Sequence, residues 1–131
     1  MLSKAELRKI AKARLKDAEV LFNARRLDGA IYLCGYSIEI ALKSAICRTL
    51  RWNGYPSTKK EFEGFHSFKT HNLDILLSLS GVEATIKSSF FAEWAAVARW
   101  EPDFRYKPIG SASLQDVNLM IESSKILLRN L

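Results

Sequence analysis

From Asp28 to Arg51 the chain runs twenty-four residues without a proline, and apolar side chains fall on nearly every face of the helix this run implies. Ala30, Ile31, Leu33, Cys34, Tyr36, Ile38, Ile40, Ala41, Leu42, Ala45 and Ile46 leave almost no polar stripe. Such a helix survives in water only when other elements or a partner chain surround it. It therefore belongs in the middle of a bundle. Asp28 is placed to cap its start, and Asn53-Gly54 with Pro56 beyond stops it.

The flanking segments have the pattern needed to surround it. Ser3 and Glu6 stand at capping-box spacing, and Leu7, Ile10, Ala11, Leu15, Ala18, Leu21 and Phe22 follow at helical intervals, which predicts a first helix over about 4–25. Residues 52–69 show no periodicity and read as a long loop. A short helix over 72–80 should end at Gly81. Another over 83–99 should turn Ile86, Phe90, Phe91, Trp94, Val97 and Ala98 inward and stop before Pro102. Ser113, three residues ahead of Asp116, caps a last helix to 131 with Leu114, Val117, Met120, Ile121, Leu127 and Leu128 as its stripe. No segment alternates with period two beyond a few residues. The expectation is an all-α fold, an up-and-down bundle of about five helices, in one domain spanning 1–131; that length can bury a core without staples.

Charge and cysteine usage exclude several classes. The net charge is +6, and residues 1–26 carry most of it, with eight basic and three acidic side chains. Lys4, Arg8, Lys12 and Lys16 recur at i,i+4, either a solvated helix face or an electrostatic footprint for a polyanion. No apolar run is read as a membrane span and the start is too charged for a secretory signal, so a cytoplasmic location is expected. Cys34 and Cys47, thirteen residues apart on one helix, would stand ~19 Å apart, too far for a disulfide. There is no zinc spacing, no Gly-rich phosphate loop and no G-x-S-x-G elbow, so neither metal nor cofactor is expected.

Few residues remain to carry chemistry. Glu39 and Lys43 lie one turn apart on the apolar helix, as a structural ion pair or as the lining of a polar cleft or subunit contact. His71, in FKTHNLDILL, is placed either to cap the helix that follows or to act as a general acid–base group. His66 sits in a loop with no supporting pattern. The segment from Arg99 to Lys107 sets Arg99, Arg105 and Lys107 among Trp100, Phe104 and Tyr106. That composition suits stacking a base while holding its phosphate, and equally suits anchoring a loop with Asp103 and Arg105 paired.

DGAIYLCGYSIEIALKSAICR, then THNLDILL, then W-x-P-x-x-RY resemble the HEPN domain superfamily, in element order over essentially the whole chain. The resemblance implies a small helical bundle, commonly a homodimer with a cleft between facing helices. It also implies a nucleotide- or RNA-handling role beside a nucleotidyltransferase in a toxin–antitoxin-type pair. HEPN ribonucleases carry an arginine followed by four to six residues and then a histidine, and this chain does not. The slots after Arg99 hold Phe104, Arg105 and Tyr106, and those before His71 and His66 hold no arginine. A binding module is expected, with Lys43, Arg99 and Arg105 neutralising phosphate and Trp100 and Tyr106 offering stacking faces. The alternatives are a divergent metal-independent endoribonuclease built on His71 and Arg105, or an interaction subunit alone.

Overall fold

Helix α1 (Lys4–Asn23) opens on the expected capping box: the Ser3 hydroxyl accepts from the Glu6 N–H, and the Glu6 carboxylate accepts from the Ser3 N–H at 2.9 Å. The computed structural model describes all 131 residues. Leu7, Ala11, Leu15 and Ala18 form the buried row of α1. Arg25, in the left-handed region at φ 62°, turns the chain into α2 (Leu27–Leu50). The two helices run antiparallel, as two buried hydroxyls record: Ser37 donates to the Ala11 carbonyl at 2.8 Å and Ser44 to the Lys4 carbonyl. Small residues along this seam let the backbones approach closely enough for those bonds.

Twelve residues of α2 are buried, the central position its composition required. By length and composition α2 could also cross a membrane, contrary to the expectation from its sequence. Two-thirds of that apolar stretch is nonetheless covered by the rest of the protein, as a bundle's core helix must be. Asp28 does not cap it. The N-cap is Arg26, without a side-chain bond, while the Asp28 carboxylate accepts from the Gly110 and Ala112 N–H groups at 2.7 and 3.1 Å.

Beyond α2 the chain is less regular. A two-residue strand, β1 (Leu2–Ser3), pairs antiparallel with β2 (Gly54–Tyr55) inside the expected loop. Only glycine fits at 54, since a Cβ there would stand 2.7 Å from the Leu2 carbonyl oxygen. A 3₁₀ turn at His66–Phe68 leads to α3 (Leu73–Leu79), which ends in Ser80 and then Gly81 at φ 80°. The single helix expected over 83–99 is two, α4 (Glu83–Ser89) and α5 (Phe91–Val97), parted where Phe90 leaves helical geometry at φ −133°, ψ 37°. Ile86, Trp94 and Val97 are buried as expected, but Phe91, at the first position of α5, faces solvent. The bundle thus has six helices rather than five.

After a 3₁₀ turn at Pro102–Tyr106, α6 (Leu114–Asn130) begins with Ser113 accepting from the Asp116 N–H. It packs on α1, α2 and α5. Leu114, at its exposed first turn, drops out of the expected stripe. Arg8 leaves the i,i+4 basic row to donate to the Leu128 and Leu131 carbonyls at the end of α6, where Arg48 joins it. Lys4, Lys12 and Lys16 stay exposed. Both cysteines are free and buried, and burial pushes the Cys34 thiol up to about 11.

Candidate functional site

Glu39 is the only charged residue in the buried set, 2% exposed in the middle of α2. A carboxylate so placed costs several kcal/mol unless both oxygens are paired. One oxygen accepts from Lys43 Nζ at 3.2 Å, one turn along the same helix; the other lies 2.7 Å from His71 Nδ1. The helical repeat places Lys43, whereas His71 arrives from the segment that enters α3. That segment is held by Tyr55, whose hydroxyl donates to the Phe68 carbonyl and whose phenol burial pushes well above the ordinary range. The Lys43 ammonium stands 5.3 Å from the centre of the Tyr55 ring.

His71 is not the cap of α3. Asn72 is, with its side-chain oxygen accepting from the Ile75 N–H. Freed from capping, the His71 side chain is 60% exposed, with Nδ1 on the buried carboxylate and Nε2 on the opposite edge of the ring. A carboxylate-oriented imidazole of this kind has a fixed ring plane, and it can donate to an anion or move a proton.

The ring stands between two concavities. One, of about 460 Å³, lies between the β1–β2 strand pair and residues 68–71; its polar lining is Lys43, Ser57, Lys69, Thr70 and His71, and it contains no carboxylate. The other, of about 350 Å³, is lined by His71, Asp74, Arg99, Glu101, Asp103 and Arg105. Folding thus brings His71 and Arg105, thirty-four residues apart in sequence, to one cleft. Asp74 is engaged there, accepting from Trp94 Nε1 at 2.9 Å.

The loop after α5 divides the residues expected to meet a ligand. Trp100 is 3% exposed, its ring pressed on Gly35, where a Cβ would stand 2.1 Å from the ring carbons, and edge-on to Tyr36. It anchors the loop and has no open face for a base, which corrects its expected stacking role. Its Nε1 is buried without a hydrogen-bond partner. Tyr106 is well exposed, with the Arg105 guanidinium 4.7 Å from its ring centre. Arg105 donates to the Pro102 carbonyl and makes no ion pair with Asp103. Arg99 is exposed at the cleft wall. Tyr36, one turn before Glu39, has its phenol pushed up to about 12 by burial, with the Tyr32 hydroxyl and the Glu39 charge acting in the same direction.

Two contributors were not anticipated from sequence. Tyr55 gave no signal, because its role depends on the pairing of β2 with β1, some fifty residues away in sequence. Lys69 did give one, standing two residues before His71 in a segment already singled out.

Among known families, residues 5–60 match the model of the HEPN domain. The match takes in nearly all of α1, all of α2 and the β2 strand; it includes Glu39, Lys43 and Tyr55 and ends before His71. No curated protein and no solved structure matches the chain.

Proposed function

The chain carries a HEPN domain across its first two helices, and on that premise we propose that it is a binding module that holds a nucleotide or RNA through its phosphate beside His71. The match supports a nucleotide- or RNA-related module at the level of the family. The observation that carries the reading is the triad centred on α2: a buried Glu39 that fixes both Lys43 and His71 at the edge of open concavities. Phosphate oxygens only accept hydrogen bonds, and ammonium and ring N–H groups are donors that match them. Arg99 and Arg105 stand across the ring in the second concavity, among Asp74, Glu101 and Asp103. The protein works in the cytoplasm as a homodimer, paired with a nucleotidyltransferase in a toxin–antitoxin-type arrangement.

The test is association of the purified protein with a mixed RNA pool at low and high salt. Binding should weaken steeply with salt, because each neutralised phosphate releases a counterion. RNA that fails to associate at low salt restricts the reading to a free nucleotide, and failure of a mononucleotide as well removes it and leaves an interaction subunit. A second reading rests on His71 and Arg105 sharing one cleft. There a carboxylate-held imidazole could take the 2′-OH proton as the 2′-oxygen attacks phosphorus, while a guanidinium stabilises the phosphorane. The P–O5′ bond then breaks as the ring returns the proton to the 5′-oxygen, giving a 2′,3′-cyclic phosphate and a 5′-hydroxyl with no metal in the step. It requires cleavage that resists EDTA and disappears in His71→Ala.

A further inference from the structure

On the premise of the binding reading above, we propose that the ligand's phosphate group sits on the strand-pair side of the His71 ring, held by Lys43, Lys69 and His71, and not in the arginine-lined cleft on the other side. Charge separates the two concavities. The cleft sets Arg99 and Arg105 against Asp74, Glu101 and Asp103. Asp74 is taken up by Trp94, but Glu101 and Asp103 are exposed and make no ion pair, so a phosphate entering there meets two uncompensated negative charges. The wall on the strand-pair side has two lysines and the imidazole with no carboxylate among them. Both oxygens of Glu39 are already engaged beneath it. Glu61, on the same side of the molecule, is bound by the Met1 amino group and the Ser57 N–H.

Preorganisation separates them again. The Lys43 side chain is only 18% exposed, its ammonium fixed by Glu39 at one hydrogen and by the Tyr55 ring, which leaves two hydrogens for a ligand. Lys69 Nζ rests 5.9 Å from the centre of the Phe62 ring. The Thr70 oxygen accepts from the Asn72 N–H, so its own O–H remains available to donate. Donors held in place before binding lose less entropy when the ligand arrives. On the other side, Arg105 is turned to Tyr106 and the Pro102 carbonyl, and Arg99 is an exposed chain with no ion-pair partner. The concavity beside the strand pair, at about 460 Å³, is in the size range of small-ligand sites, so a mononucleotide or one nucleotide of an RNA strand can enter. The shared chemistry is a phosphate group, from a free nucleotide or from RNA.

The experiment is isothermal titration at low salt with AMP, with adenosine, and with a short RNA bearing a 5′-phosphate or a 5′-hydroxyl. It is run on the unaltered protein, on Lys69→Glu, on Lys43→Gln with Lys43→Arg as its charge-preserving partner, and on Arg99→Glu and Arg105→Glu. Lys69 is exposed, so its variant should keep the far-UV circular dichroism of the parent. Lys69→Glu should weaken phosphate-dependent binding about tenfold or more, Lys43→Arg should retain what Lys43→Gln loses, and either arginine variant should change it by less than about twofold. AMP bound in preference to adenosine with this lysine dependence supports a free nucleotide. RNA bound with the same dependence supports the strand, as an end if the 5′-phosphate is required and as backbone if it is not. Binding that follows Arg99 and Arg105 and ignores Lys69 overturns the location while the binding reading stands. Adenosine bound as tightly as AMP overturns the phosphate assignment. No association with any probe removes the binding reading and this site together.

Discussion

The α1–α2 pair and the stretch from Arg51 to Ser113 are held together in different ways. The two long helices bury a continuous apolar seam, and their polar contacts, Ser37 to Ala11 and Ser44 to Lys4, only adjust a fit that area already stabilises. The later stretch has short helices and long turns, and single tethers position it: Trp100 in the notch at Gly35, His71 on Glu39, Tyr55 on Phe68, and the Gly110 and Ala112 amides on Asp28. In each of these except the Tyr55 bond, one partner lies on α2. The regular half is thus a frame with docking points that also supplies Lys43, and the irregular half carries most of the side chains that line the two concavities. Damage to the frame should be graded, and damage to a tether local.

The largest effect is expected where a tether meets the frame. Gly35→Ala puts a methyl group 2.1 Å from the Trp100 ring and should cost about 3 kcal/mol in a urea titration. A variant that keeps its stability while its tryptophan emission shifts to the red would mean the ring swings out cheaply, so that the loop is only loosely docked. Next comes Glu39→Ala, which strips the partner from Lys43 and the anchor from His71; about 2 kcal/mol should be lost. The His71 ring should also lose its fixed orientation by NMR. An unchanged ring environment would show that the α3 entry, not Glu39, sets its position.

Ser37→Ala belongs to the frame and should cost about 1 kcal/mol, by leaving the Ala11 carbonyl without its hydroxyl donor. A loss as large as that at Gly35 would erase the distinction between seam and tether. The smallest global effect is expected at Asp28. The Gly110 and then the Ala112 N–H groups hold its carboxylate below the ordinary aspartate range. A group depressed in the folded state contributes stability above its unfolded value, near ~3.9, and that stability is lost as pH falls through the folded value. Amide exchange at Gly110 and Ala112 should therefore accelerate below about pH 4, relative to exchange in α2. Asp28→Asn should reproduce the acceleration at neutral pH, and exchange insensitive to both would show that the tether does not hold the loop.

Legibility from sequence followed the same division. The capping box at Ser3, the all-round apolar α2 and the Ser113 cap depend on neighbours within one turn, so each was readable in place. The end of α2 was not, because Arg51 in the left-handed region at φ 56° closes it, while Gly54, in β2, pairs with Ser3. The Glu39–Lys43 pair was readable for the same reason. The split at Phe90 was not, because nothing in the 83–99 pattern breaks helical periodicity; the break lies in the backbone of one residue. Asp28 was misread as a cap because an acid just ahead of an apolar run has that look, and its partners lie over eighty residues away. Trp100 looked open because composition does not report burial.

By itself the sequence determined a helical bundle around α2, the placement of a carboxylate and a lysine on its apolar face, and the family signature of residues 5–60. Periodicity and capping are short-range, so the order of residues is enough to specify them. Only the tertiary structure decided that His71 completes the pair, that Lys69 and not Trp100 faces open space, and that carboxylates crowd one side of the imidazole and are missing from the lining of the other. Those outcomes depend on where turns of irregular length return to α2. Such returns are set by the packing of distant side chains, which no local pattern encodes.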